Sequence, residues 1–435
     1  MNNNEPKVGG ALVRDIGLFG ASFLILNGMI GAGIFALPAA IAANAGAHSP
    51  WLFLGVGLLF ISVVLVFAEL ASYFTQSGGP VLYATAAFGP MAGFNTNWLL
   101  FLSRLTAFAA NINVLVLYLG SLLPWAQEGP MRALLIIVIT AGLTFANVLG
   151  VRDGVRTVAG FTLLKLTPLL LMIILGLQYV GADAFLPANL PTIDDLGGTT
   201  LLLIYAFVGF EQVTNTAGET KNPRRNIPRA LIITIIATAV LYFLITLIYV
   251  SVLPNGGVEG KTLVDVGQVL AGAGGALAIT LAAIFSIGGN LASAMLAVPR
   301  ITYAMAEKRL LPQWFRGIHQ KYATPHNSII FFGVMIIALA LTGSFVYLAA
   351  ASSLSRLISY MMCIAALPVI RKQADAEAQK NAFRLKGGLA IPAVAMGLCL
   401  WIVSFSKTEA WLLIGILLGV GLVLYWLEQR ISPEL

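Results

Sequence analysis

Gly28-Met29-Ile30-Gly31-Ala32-Gly33-Ile34-Phe35 sits inside an apolar stretch, residues 16–44, that is otherwise long enough to cross a bilayer as one helix. Three glycines within six positions interrupt that helix near its middle. One such cluster, taken alone, reads more readily as close helix packing, because small residues let neighbouring backbones approach. Five apolar stretches further on, Phe207-Val208-Gly209-Phe210-Glu211 interrupts residues 197–220 in the same way. Two interruptions at corresponding places reverse the reading. Paired glycine-broken spans point to a solute site built between two halves of a chain.

The physical reason is that breaking a helix at mid-depth frees N–H groups where one half-helix starts and C=O groups where the other ends. The first set suits a carboxylate and the second an ammonium, so a zwitterion fits the pair. A dinucleotide reading fails, because the spacing is GxxGxG rather than GxGxxG and lies within an apolar span.

The rest of the chain agrees with a bilayer setting. Of 435 residues 59% are hydrophobic and 10% charged, against about a quarter charged in soluble domains. Mean hydropathy is +0.90. Continuous apolar runs, such as Ile236 to Val250, exclude the short alternating segments of a membrane barrel, so helices must satisfy the backbone internally. The predicted spans are 16–44, 50–76, 95–124, 132–150, 158–181, 197–220, 227–254, 270–298, 327–345, 346–370, 387–406 and 409–428. Met1 to Asp15 shows no cleavable signal pattern. Cys363 and Cys399 both lie in apolar runs, and His48, His319 and His326 are scattered in predicted loops. Neither a disulfide framework nor a metal or other cofactor is indicated.

The net charge of +7 does not mark a nucleic-acid partner. With the N-terminus inside, nineteen Lys and Arg fall on the cytoplasmic side, among them Lys221, Arg224, Arg225, Arg309 and Arg371. Only Arg132, Lys261 and Lys407 fall on the other. That bias orients a multi-pass protein of the plasma (inner) membrane with both termini cytoplasmic. The expected surroundings are lipid and a small-molecule substrate, with a homodimer compatible with the sequence. A membrane enzyme is disfavoured because the loops offer no nucleophile–base set or carboxylate pair; Asp194-Asp195 reads as a polar cap.

In five places the chain resembles the amino acid–polyamine–organocation superfamily. These are Gly28 to Phe35; Ser77-Gly78-Gly79-Pro80 with Tyr83, Phe88, Gly89 and Pro90; Asn147 with Gly150; Gly218-Glu219-Thr220-Lys221-Asn222-Pro223-Arg224-Arg225-Asn226-Ile227-Pro228-Arg229-Ala230; and Arg300, Tyr303-Ala304-Met305-Ala306, Leu311-Pro312 and Thr324-Pro325-His326-Asn327. The resemblance implies an all-α membrane protein with a LeuT-type fold. It has twelve transmembrane helices, two inverted five-helix repeats (16–181 and 197–370) with discontinuous helices 1 and 6, and two C-terminal helices (387–428), all in one domain, 1–435. It implies a secondary transporter of an amino acid or related small solute. The alternatives are a polyamine or amine carrier and a non-transporting amino-acid sensor.

The same resemblance implies site residues. Backbone amides of Ala32 and Gly33, beside Gly31, would meet a substrate carboxylate. Carbonyls near Met29, Tyr205 and Val208, next to Gly209, would meet the amine. Lys165 would stand where relatives bind sodium, with Ser286 and the Gly31 region as neighbours, leaving proton symport, exchange or uniport; otherwise it is a snorkelling lysine. Glu211 either bonds the freed N–H groups of its own half-helix or, as in some relatives, takes part in proton coupling or in reading cationic substrates. Arg104 would face the same cavity, either paired with Glu211, the safer expectation, or reading an acidic or polar group through its planar fork. Arg356 is given no role. Asn290 stands where cationic-substrate exchangers carry a stacking tryptophan, which favours a smaller or polar solute. Asn111 and Asn113 are further polar candidates, though either may serve only to bond a neighbouring helix.

Overall fold

The computed structural model describes residues 14–74, 76, 78–126, 129–150, 157–181, 193–374, 379, 382–385 and 387–431. At 126, 157–165, 193–198 and 431 it describes the backbone alone. The described residues form helices, with a single isolated bridge between Ile16 and Thr220. Seven helical stretches among them are long and apolar enough to cross a membrane, and shorter apolar helices accompany them.

The first glycine cluster divides its stretch into α1 (Leu18–Met29) and α2 (Gly33–Ala45), with Ile30 to Ala32 outside either helix. Then follow α3 (Ser49–Tyr73), α4 (Gly79–Phe88), α5 (Pro90–Gly120), α6 (Gly129–Val148) and α7 (Thr157–Gly176). The second break ends α8 (Ile193–Phe207) and starts a 3-10 segment, Phe210–Glu219. The remainder is α9 (Pro223–Val252), α10 (Leu263–Ala297), α11 (Pro299–Glu307), α12 (His326–Thr342), α13 (Phe345–Gln373), α14 (Ala390–Ser404) and α15 (Thr408–Ile431).

Local chemistry sets these boundaries. Proline occupies the first turn of α3, α4, α5, α9 and α11, where its missing N–H and fixed φ are harmless. Thr262 and Asp265 close a reciprocal capping box at the start of α10. Two of the differences from the predicted spans have a clear local cause. The stretch after span 2, read as a connection, contains α4, a ten-residue helix too short to cross a bilayer. Span 8 begins earlier than residue 270, at Leu263, because α10 runs through a bend at Ala271 and Gly272.

Packing brings the two breaks together. α3 lies along α9, α5 along α13, and α7 along α10. α2 packs on α8, while α1 packs on the 3-10 segment. Near Asp15 the two broken elements also join by backbone: Ile16 N–H donates to the Glu219 carbonyl (3.0 Å) and Lys221 N–H to the Ile16 carbonyl (2.8 Å). At mid-depth the approach is closer. Gly209 has φ +104°, and a Cβ there would come within 2.8 Å of the Gly28 carbonyl oxygen. Only glycine combines that backbone conformation with so near a neighbour.

Candidate functional site

A cavity of about 210 Å³ lies between the two breaks. Met29, Gly31, Ala32 and Gly33 line it from the first, Tyr205, Val208 and Gln212 from the second, and Asn290 from α10. α5 contributes Arg104, Ala107, Phe108 and Asn111, whose spacing of i, i+3, i+4 and i+7 puts them on one helix face. Arg356 of α13 completes the wall. The lining continues along α10 to Ala297 and Val298, next to α11.

Beyond Gly33 on α2 and Asn111 on α5, aromatic side chains meet. Phe35 and Tyr118 meet edge to face at 5.7 Å, and the Tyr118 hydroxyl donates to the Phe35 carbonyl at 2.9 Å. Tyr205 and Phe345 meet edge to face at 5.9 Å.

Inside the cavity one hydrogen-bonded chain orders the polar groups. The Tyr205 hydroxyl donates to Asn111 Oδ1 (2.7 Å), and Asn111 Nδ2 donates to Asn290 Oδ1 (3.3 Å). This order presents the Asn290 amide nitrogen towards Gly31, where a Cβ would lie 3.5 Å from it. The Gly31 N–H turns back onto the Met29 carbonyl (3.2 Å). Gly33 starts α2, so the first amides of that half-helix begin at the cavity wall. Asn113 serves differently: it donates to the Ala109 and Ala340 carbonyls and accepts from Arg132, tying helices together.

Glu211 is 1% exposed and held on three sides. Its Oε2 accepts from the Gly209 N–H (3.1 Å) and the Tyr360 hydroxyl (2.7 Å). Its Oε1 faces Arg356 Nη1 at 3.3 Å, off the line of a hydrogen bond. Arg356 Nε donates to Ser103 Oγ (2.8 Å), which sits in a reciprocal Ser103–Ser352 contact.

The expected Arg104–Glu211 pair is therefore replaced by Arg356–Glu211. The carboxylate lies 145 positions from its guanidinium, and sequence alone carries no sign of such a pairing. Arg104 makes no ion pair among the described residues, and its Nε is buried without a hydrogen-bond partner. Arg356, Tyr360, Gln212 and Ser103 are contributions that sequence reading did not assign.

The proposed coupling residues are only partly visible. Ser286 is 3% exposed, and its hydroxyl has no partner among the described residues. The Lys165 side chain lies outside the described residues, as do those of Asp194 and Asp195; the helix carrying Lys165, α7, packs along α10, which carries Ser286. No three His, Cys, Asp or Glu side chains among the described residues converge to hold a metal.

A family model described as amino acid permease matches residues 16–426. A branched-chain amino acid permease, BcaP, of Bacillus subtilis (strain 168) is 29% identical, over 98% of this chain and 95% of its own. A methylthioribose transporter of the same organism is 27% identical over 97% and 94%. Its serine/threonine exchanger SteT is 27% identical over 88% and 89%. With helices apolar enough to cross a membrane, a cavity between two glycine breaks and a family match over nearly its whole length, the chain belongs to the amino acid permease family and is an integral membrane transporter.

Proposed function

We propose that this permease is a secondary transporter of an amino acid or a closely related small zwitterion, independent of sodium and driven by protons or by exchange. The observation that carries the reading is the cavity itself, bounded by the start of α2 on one wall and the end of α8 on another. In this reading the Ala32 and Gly33 amides hold the substrate carboxylate, with Gly31 leaving room for it. The carbonyls of Met29, Tyr205 and Val208 hold the ammonium.

The amine-carrier alternative has less support. Among the described residues no Asp or Glu lines the cavity, so a polyamine would find two guanidinium groups in that lining and no carboxylate. A zwitterion uses both kinds of half-helix end.

The proposed architecture is twelve spans in one domain, 1–435. α1 with α2, and α8 with the 3-10 segment, serve as discontinuous spans 1 and 6 of two inverted repeats, 16–181 and 197–370, followed by two helices within 387–428. Both termini are assigned to the cytoplasm of a plasma membrane by the cation bias. The cavity then faces the cytoplasmic side, and the Phe35–Tyr118 and Tyr205–Phe345 contacts close the external one, as one state of an alternating-access carrier.

Sodium independence rests on Lys165, with the Ser286 hydroxyl, which has no partner among the described residues, on the helix packed against α7. Labelled amino-acid uptake into proteoliposomes tests it. Flux is expected to persist when choline replaces sodium and to fall to background in Lys165→Ala. A strict sodium requirement in the unaltered protein would overturn the lysine assignment.

A further inference from the structure

Resting on the amino-acid reading above, we propose that the cavity carries a second anion-binding subsite, built on Arg104, which selects solutes bearing a second carboxylate. An acidic α-amino acid is the solute class that fits.

Three observations converge. Among the described side chains that line the cavity, the charged ones are Arg104 and Arg356, and none is a carboxylate. Arg356 is already compensated by Glu211, at 3.3 Å, and by Ser103. Arg104 has no such contact: it forms no ion pair within 4 Å among the described residues, its Nε has no hydrogen-bond partner there, and the Glu211 charge, already in contact with Arg356, reaches it only at longer range. A guanidinium inside a membrane protein is costly without compensation, and this one borders the space a solute occupies. Its planar fork suits a carboxylate.

The placement separates this subsite from the half-helix ends. Asn111, linked to Tyr205 and Asn290, marks the level of Gly31. Arg104 is seven residues earlier on the same face of α5, roughly 10 Å of helix rise away. Side chains in a helix also lean towards its N-terminus, here away from Asn111. The Arg104 fork and the first amides of α2 are therefore set to meet two groups of one solute. A molecule with carboxylates at both ends of a short carbon chain, and an amine beside one of them, offers one carboxylate to each. A neutral side chain would leave Arg104 without its counter-charge. A cationic one would face it directly.

Thermal unfolding of the purified full-length protein in detergent tests this, with L-glutamate, L-aspartate, L-leucine, L-serine and putrescine as added probes. A bound ligand raises the unfolding temperature by mass action. The acidic amino acids are expected to give the largest shifts. Arg104→Gln should weaken them by roughly tenfold or more, the scale of a lost charge-assisted hydrogen bond, while changing neutral amino acids little. Arg104→Lys, which keeps the charge without the fork, should fall between. Should the unaltered protein respond to leucine or serine but not to glutamate or aspartate, the subsite is wrong and the amino-acid reading survives. Equal weakening of all amino acids in Arg104→Gln would assign Arg104 to the shared α-carboxylate and overturn the second subsite. A response to putrescine alone, or to none of the probes, would remove the amino-acid reading and this inference with it.

Discussion

α13 carries two arginines that meet buried carboxylates, and the two pairs are built differently. Arg371, near the helix end, grips Glu69 of α3 with two parallel bonds, Nε to Oε1 and Nη2 to Oε2, both 2.7 Å. The backbone N–H of Leu385 also donates to Oε2 (3.0 Å), and Arg371 Nη1 donates to the Gly388 carbonyl (2.7 Å). Glu69 is fully buried, and each of its oxygens is bonded. Arg356, fifteen residues earlier, meets Glu211 off-line at 3.3 Å, leaving Oε1 without a hydrogen bond. The first pair fastens α3, α13 and the approach to α14. The second borders the solute cavity, next to the Gly209 break, and retains an unfilled acceptor. A saturated ion pair fixes structure, whereas an unsaturated one beside a cavity is free to change partners.

The largest effect that follows is on stability. Glu69→Ala leaves Arg371 without its counter-charge, and the loss of one partner from a buried pair is worth about 3–5 kcal/mol. Thermal unfolding in detergent should show a marked fall in midpoint and in yield of folded protein. A wild-type midpoint for Glu69→Ala would erase the distinction between the pairs.

A smaller structural effect and a larger functional one are expected at the other pair. Glu211→Gln keeps an oxygen to accept from Tyr360 and from the Gly209 N–H but removes the charge facing Arg356. Its unfolding midpoint should fall less than that of Glu69→Ala. Uptake driven by an inward proton gradient should lose its dependence on that gradient while some exchange persists. Unchanged gradient dependence would remove Glu211 from coupling and leave both pairs structural.

The contrast between the pairs also marks what the sequence makes legible. Glycines leave a local trace, so Gly28, Gly31, Gly33 and Gly209 reveal the breaks, whereas Met29, Tyr205 and Val208, which line the cavity, are named through the family resemblance. Asn111 and Asn290 are visible as polar residues in apolar spans, but their link through Tyr205 is a tertiary fact. Ion-pair partners are likewise tertiary. Arg356 is visible as a charge in a span, yet its partner is set by how α13 packs beside the second break. Glu69 lies near the end of α3, where a carboxylate looks like an ordinary interfacial residue, so its burial leaves no mark. α4 escapes because a ten-residue helix framed by Gly78-Gly79-Pro80 and Gly89-Pro90 carries the composition of a connection.

The smallest effect belongs to a third pair, which is exposed. The Lys221 ammonium, 2.8 Å from Asp15, holds that carboxyl below its ordinary value through a hydrogen bond and through charge. A depressed carboxyl contributes stability above its ordinary pKa, and loses it as pH falls through the lowered one. Once the intrinsic pH dependence of exchange is divided out, the backbone joint between Ile16 and residues 219–221 should therefore show the same amide protection at pH 7 and pH 5. Protection should weaken slightly only below the ordinary value of 3.8. The change should be slight because both side chains are solvated, 53% and 86% exposed. Loss of protection already between pH 7 and pH 5 would assign the joint to some other group.

The claim on which the rest depends is that solute binds between the two breaks. Gly31 tests it most directly, because a Cβ there still fits, 3.5 Å from the Asn290 amide, whereas a larger side chain must enter the cavity. The measurement is uptake of a panel of labelled amino acids by Gly31→Leu in proteoliposomes, beside the unaltered protein and with matched amounts of folded protein. The account predicts flux for at least one amino acid in the unaltered protein and background uptake in Gly31→Leu, with the variant still folded. Wild-type flux through Gly31→Leu would place the solute path elsewhere in the molecule.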